Sequence, residues 1–260
     1  MAAVSVGLAG ATPPDTVREV ARAAEAAGLR ALWLNETPGS DALAGLAVAA
    51  EATERLLLGV GVVPIDRFPP DVIAGRVERA GIPAARLMLG IGSGRAPHPA
   101  VAVAEAVHAL RGRLETPILV GGLGPRVRRV GAELADGLLL NWLSPAASAA
   151  ARDEAVAQAE AADRPRPHVA LYARTAVEAA AHAALREEAS RYASFPGYRE
   201  NFERLGEDPL DGSILAASPA ELREGVARYA AAVDELVLRA VTEHGTAAEI
   251  RRIVDAATGP

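Results

Sequence analysis

A chain of 260 residues of which half are apolar has enough material to fill the interior of one large α/β domain. Thirty-three acidic residues against 27 basic ones leave a formal charge of −6, which argues against a surface built to neutralise a nucleic-acid backbone. No cysteine is present and every basic residue other than histidine is Arg, so disulfides, thiolate nucleophiles, Cys-ligated metals and Schiff-base lysines are all excluded.

The amino-terminal MAAVSVGLAGATPP lacks a basic segment and turns polar too early for a secretory signal, and no run of about eighteen apolar residues occurs. A cytoplasmic protein that is not membrane-bound is expected. From there, short apolar runs alternate with Ala-rich amphipathic stretches, the pattern of βα units around a parallel sheet. The runs are Val4 to Leu8, Ala31 to Leu34, Leu56 to Val63, Arg86 to Ile91, Pro117 to Gly121, Gly137 to Asn141, His168 to Ala173 and Glu235 to Arg239. Eight such units close a (β/α)8 barrel, and a single domain over 1–260 is expected. Helix starts are marked by turn chemistry at Thr12-Pro13-Pro14-Asp15, Pro69-Pro70-Asp71, Gly124-Pro125, Ser144-Pro145 and Ser218-Pro219. Between Gly94 and Pro117 there is room for one short helix. Between the seventh and eighth runs, Thr175 to Arg191 reads as helix and Tyr192-Ala193-Ser194-Phe195-Pro196-Gly197-Tyr198 breaks it. Three of the seven Phe and Tyr residues fall in that break, so it reads either as a substrate lid or as packing for the inserted helices.

In a barrel, chemistry belongs to the residues just after each strand. That rule selects Asn35, Glu36 and Thr37 after the second run, Gly61, Val62, Asp66 and Arg67 around the end of the third, and Gly92, Ser93, Gly94, Arg95 and His98 after the fourth. After the fifth come Gly121, Gly122, Leu123, Gly124, Pro125 and Arg126, a Gly-rich turn opening a helix, whose N–H groups suit an anion. Asn141, Trp142, Arg174 and Glu243-His244 complete the set. Glu36 is read either as a carboxylate at the mouth or as a solvated loop residue, and His98 as an acid or base or as a surface residue. No pair of histidines or carboxylates has metal-ligand spacing, and no metal is expected.

Three segments carry a family resemblance: TERLLLGVGV from Thr53, LMLGIGSGR from Leu87, and Asp136-Gly137 followed by Asn141-Trp142. Together they resemble the luciferase-like monooxygenase superfamily, in particular its branch that uses the deazaflavin coenzyme F420. The resemblance implies a non-proline cis peptide at Gly61-Val62 supporting the cofactor ring, and cofactor contacts from Asn35, Gly92 to Gly94, Gly121 to Arg126, Asn141 and Trp142. It implies a ring-contacting or proton-shuttling role for Glu36, and a homodimer. It departs at Thr37, where the sugar-phosphate dehydrogenase branch has His, and at Arg95, where that branch has an acid. The expected activity is therefore F420-dependent hydride transfer with a small organic substrate, as a reductase rather than a dehydrogenase. An FMN-dependent monooxygenase of the same superfamily and a non-catalytic flavin-binding protein are the alternatives.

Overall fold

The apolar runs become strands buried on both faces, because each must cover barrel interior on one side and helices on the other. In a computed structural model, which describes residues 2–259, they are β1 Ala3–Leu8, β2 Ala31–Leu34, β3 Leu57–Pro64, β4 Leu87–Gly92, β5 Ile118–Gly121, β6 Gly137–Asn141, β7 His168–Ala176 and β9 Glu235–Ala240. Each pairs in parallel with the next, and the circle closes through β6–β7, β7–β9 and β9–β1. The expected single-domain (β/α)8 barrel is the observed one.

Helices α1 Pro14–Ala26, α2 Ala42–Ala52, α3 Pro70–Ala80, α4 Pro99–Arg111, α5 Pro125–Leu134, α6 Pro145–Ala161, α9 Pro219–Tyr229 and α10 Ala247–Thr258 form the jacket, with α7 His182–Ser194 and α8 Pro196–Leu205 between β7 and β9. Seven of these ten start on Pro, whose fixed φ and missing N–H suit the first helical turn; all five marked starts are among them. Only α4 joins β4 to β5, so the shortened connection expected there is real. No helix among the described residues is long and apolar enough to cross a membrane.

Strand alternation divides the core. Leu32, Leu34, Leu58, Val60, Leu89 and Leu138 face the helical jacket in one large cluster, while Trp33, Met88, Leu119, Leu139, Tyr172 and Val237 form a second cluster, the packed barrel interior. Trp33 meets Tyr172 edge-on at 5.9 Å between ring centroids. At the amino end of the barrel, Glu235 is fully buried. It accepts hydrogen bonds from Ser5 Oγ at 2.6 Å, Trp33 Nε1 at 2.7 Å and Arg30 Nε at 3.2 Å, and pairs with His168 Nε2 at 2.8 Å.

The segment after β7 differs from expectation. Thr175 and Ala176 are not helical but continue β7, because β9 still pairs with Thr175 through Ala240 and a short strand β8, Ser213–Leu215, pairs with Arg174 to Ala176 on the other side. The helix starts only at His182. Nor is 192–198 a loop: Tyr192 lies in α7, Tyr198 in α8, and the chain turns at Phe195 just before Pro196. Stacking holds that corner together, with Tyr192 and Tyr198 centroids 4.8 Å apart and Tyr192 and Phe195 5.6 Å apart.

Candidate active site

Because all strands run parallel, their carboxyl ends share one face. There β2 delivers Asn35, β3 the Gly61–Val62 step, β6 Asn141, β7 Arg174 and β9 Arg239. The Gly61–Val62 peptide bond is cis, and the pairing of β3 with β4 slips between Val60 and Val63, making a bulge. Asn35 Nδ2 donates to Gly61 O at 2.8 Å, tying the bulge to the tip of β2.

The glycines near the bulge are small for reasons of packing. A Cβ on Gly61 would stand 2.6 Å from Leu139 Cδ2 and 2.9 Å from the Tyr172 hydroxyl. On Gly92 and Gly121 it would stand 2.8 and 2.7 Å from the methyls of Val62. Gly61 therefore makes room for the barrel interior, and Gly92 and Gly121 make room for Val62.

A chain of polar contacts crosses the mouth from the bulge. Arg239 Nε donates to Asn35 Oδ1 at 3.0 Å, and its Nη1 donates to Ala240 O. Its Nη2 lies 3.9 Å from Glu188 Oε2. Arg174 Nε donates to the other Glu188 oxygen at 3.1 Å, Arg174 Nη1 donates to Asn141 Oδ1, and Asn141 Nδ2 donates to the Tyr198 hydroxyl at 2.9 Å. The Arg174 guanidinium also stacks 4.4 Å from the Trp142 ring and 4.8 Å from that of Tyr192. Trp142 adopts a left-handed φ of 55°, which turns the chain sharply after Asn141. It is buried beneath α7 and α8 with Ala189 and Phe202, so it reaches the mouth through Arg174.

Charge explains the perturbed groups. Burial pushes the Glu188 carboxyl up, but Arg239 and Arg174 outweigh it and hold the group below the usual carboxylate range. Burial, with Arg174 as a like-charged neighbour, lowers Arg239. Burial drives Tyr172 far above the usual phenol value and pushes Tyr198 up to about 12. Both phenols are therefore neutral at physiological pH.

Glu36 is not at this mouth. Its carboxylate is buried, accepting from Ala42 N and from Arg76 Nη2, each at 3.0 Å, while Arg76 also donates to Asp41 at 2.8 Å. The group acts as an anchor for the start of α2, and its neighbour Asn35 faces the site instead. His98 is exposed at the start of α4 and outside the polar chain. Ser93 and Gly94 sit in a turn braced by Asp66, which accepts from Arg95 N at 2.9 Å. Thr37 is engaged with Ser40.

A second cluster surrounds Gly122 to Pro125, at the start of α5. Leu123 O accepts from Arg128 Nη1 at 3.2 Å and from Arg204 Nη2 of α8 at 3.3 Å. Glu154 is the carboxylate paired with Arg128, at 3.3 Å. Arg128 Nε and Asn201 Nδ2 are buried donors without partners, and Arg126 is exposed. Position after a strand could have flagged Arg239; Glu188 and Arg204 carry no sequence signal, because only the folding of α7 and α8 over the barrel brings them in.

A sequence profile of the luciferase-like monooxygenases matches residues 1–115 and 94–259. The chain belongs to that family. No curated protein matches the sequence. Among solved structures, this luciferase-like barrel is similar to an F420-dependent secondary alcohol dehydrogenase in complex with an F420-acetone adduct, at 15% identity, covering 99% of both chains with a TM-score of 0.78. It is similar to the coenzyme F420-dependent tetrahydromethanopterin reductase of Methanopyrus kandleri, at 17% identity, with 99% and 98% of the chains covered and a TM-score of 0.73. It is also similar to the oxygenating constituent of 3,6-diketocamphane monooxygenase of Pseudomonas putida in complex with FMN, at 14% identity, with coverage of 98% and 97% and a TM-score of 0.73. At these identities the likeness is one of fold.

Proposed function

We propose that this luciferase-like protein is a coenzyme F420-dependent oxidoreductase acting on a small organic substrate in the reductive direction. The observation that carries the reading is the bulge at Gly61–Val62, pinned by the Asn35 side chain at the edge of a mouth where Arg174 and Arg239 face a single Glu188. The donor set fits a ring with an anionic tail. Gly122 to Pro125, Arg126, Arg128 and Arg204 would hold the tail, and the unpartnered Arg128 Nε and Asn201 Nδ2 are both donors, as an anion requires. Asn35, the bulge, Asn141 and the Arg174–Trp142 stack would hold the ring.

When bound, the deazaflavin supplies a hydride. The protein's own part is to orient, exclude water and manage charge and proton. Asn35 fixes the bulge, and α7 and α8 cover the β6 and β7 side of the mouth through Tyr192, Tyr198 and Phe202. Arg174 and Arg239 set a positive potential across it, only partly offset by Glu188. The Tyr198 hydroxyl accepts from Asn141, retains its proton at neutral pH and has its O–H free to donate, whereas Glu36 is committed to Arg76. The departures at Thr37 and Arg95 support reduction over alcohol oxidation.

Titration with oxidised F420, followed by its fluorescence with FMN in parallel, tests this reading. A dissociation constant of about micromolar or below for F420, with FMN at least about tenfold weaker, is expected. Tight FMN binding without F420 binding would replace the reading with an FMN monooxygenase. Binding of neither would refute both.

A further inference from the structure

Arg174 and Arg239 are register partners on neighbouring strands. Like charges so placed repel, and the arrangement persists only with counter-charge. Glu188 supplies one carboxylate for two guanidiniums and spends it on Arg174, with a 3.1 Å hydrogen bond. Arg239 receives only a 3.9 Å approach, too long for a hydrogen bond. Its Nε and Nη1 are occupied by Asn35 and Ala240 O, and its Nη2 has no hydrogen-bond partner among the described residues.

Arg239 and Glu188 line a groove of about 330 Å³ between α7 and the ends of β1 and β9, a volume suited to a small ligand. Its walls include the apolar side chains of Ala9, Ala184, Ala240 and Val241, while Glu187 and Arg191 bring opposite charges. A larger depression of about 480 Å³ lies on the outer faces of α1 and α10, away from the mouth.

We infer that this groove binds a small monocarboxylate with an apolar body of a few carbons, its carboxylate on Arg239 Nη2. The free Nη2 of Arg239 in the groove and the net charge of one cation left by two guanidiniums and one Glu188 carboxylate match one carboxylate, and the alanine-lined walls match a short hydrocarbon. Arg239 also holds Asn35, and Asn35 holds Gly61 O, so the occupant sits next to the bulge and Glu188 is its internal competitor. That the acid is the substrate rests on the oxidoreductase reading above; that the groove binds it does not.

The test is calorimetric titration of the full chain with crotonate and with its neutral isostere crotonamide, without cofactor and with F420 or FMN added. Crotonate is expected to bind at least about tenfold tighter than crotonamide. Glu188→Gln should tighten crotonate about threefold or more and leave crotonamide unchanged, and Arg239→Gln should lose the preference. Should Arg239→Gln fail to fold, Ala184→Phe blocks the groove from its wall and should abolish crotonate binding at an unchanged melting temperature. Equal binding of acid and amide, no binding under any cofactor condition, or weaker crotonate binding to Glu188→Gln overturns the inference. Crotonate binding without any cofactor binding would instead uphold the groove and refute the oxidoreductase reading; F420 binding without crotonate binding would do the reverse.

Discussion

Replacing Gly61 with Ala isolates the packing demand of the cis bulge. The added methyl would stand 2.6 Å from Leu139 Cδ2, 2.9 Å from the Tyr172 hydroxyl and 3.0 Å from a Tyr172 ring carbon. Carbon pairs at rest lie about 3.5–4.0 Å apart, so the overlap with Leu139 is about 1 Å. Both neighbours are buried, Leu139 at 4% and Tyr172 at 2% exposure, so neither can swing into solvent. Overpacking of this kind costs roughly 1–3 kcal/mol, or about 2–12 °C in Tm at about 2–4 °C per kcal/mol. Leu139→Ala removes the closest atom at its own cost of roughly 2–5 kcal/mol. Urea unfolding of the wild type, both single variants and the double variant closes the cycle. The double variant should be more stable than the sum of the singles by at least about 0.5 kcal/mol. Strict additivity, or a Gly61→Ala variant as stable as the wild type, would show that Gly61 does not need to be small toward Leu139.

Glu36→Gln should lower stability by up to roughly 3–5 kcal/mol, because Arg76 keeps only the half-exposed Asp41 as a charge partner, while F420 affinity stays within about twofold. A large loss of affinity at unchanged Tm would return Glu36 to the site. Arg126→Ala should weaken F420 roughly tenfold and move stability by no more than about 0.5 kcal/mol, measured by the same fluorescence titration and a thermal melt. At the other barrel face, burial pushes Glu235 up, but hydrogen bonds from His168, Ser5 and Trp33 outweigh it, leaving its pKa below 4.5. A depressed carboxylate stabilises the fold above its unfolded value and loses that contribution as pH falls through the folded one. Urea midpoints should therefore drop as pH falls below about 4.5 in the wild type, and drop less in Glu235→Gln; parallel pH profiles would refute the assignment. Glu249, which caps α10 and is lowered to about 2, contributes in the same direction, its share lost as pH falls from about 4.5 toward about 2.

The barrel was legible because βα units have two strong local signals, short predominantly apolar runs and Pro-marked helix starts, and both act over a few residues. The cis peptide at Gly61–Val62 was legible only through the family resemblance, and the glycines of β3, β4 and β5 were legible as small residues at the strand tips. Their reason was not, since that depends on where Val62, Leu139 and Tyr172 point. Likewise Thr175 reads as helix in isolation and becomes strand because Ala240 of β9 and Ile214 of β8, both distant in sequence, pair with it on either side.

The order of the eight barrel strands, the exclusion of thiol and lysine chemistry, and the barrel face on which the candidate site was sought followed from the sequence alone, because composition and periodicity act locally. The assembly of the site did not. Asn35 and Glu36 are adjacent in the chain, yet Asn35 enters the mouth while Glu36 is drawn into a buried pair by Arg76, forty residues away. Arg174 and Arg239 become neighbours only when β7 pairs with β9, and Glu188 meets them only when α7 folds over the barrel. Which charge faces which is decided by contacts distant in sequence, where burial makes the choice of partner energetically large.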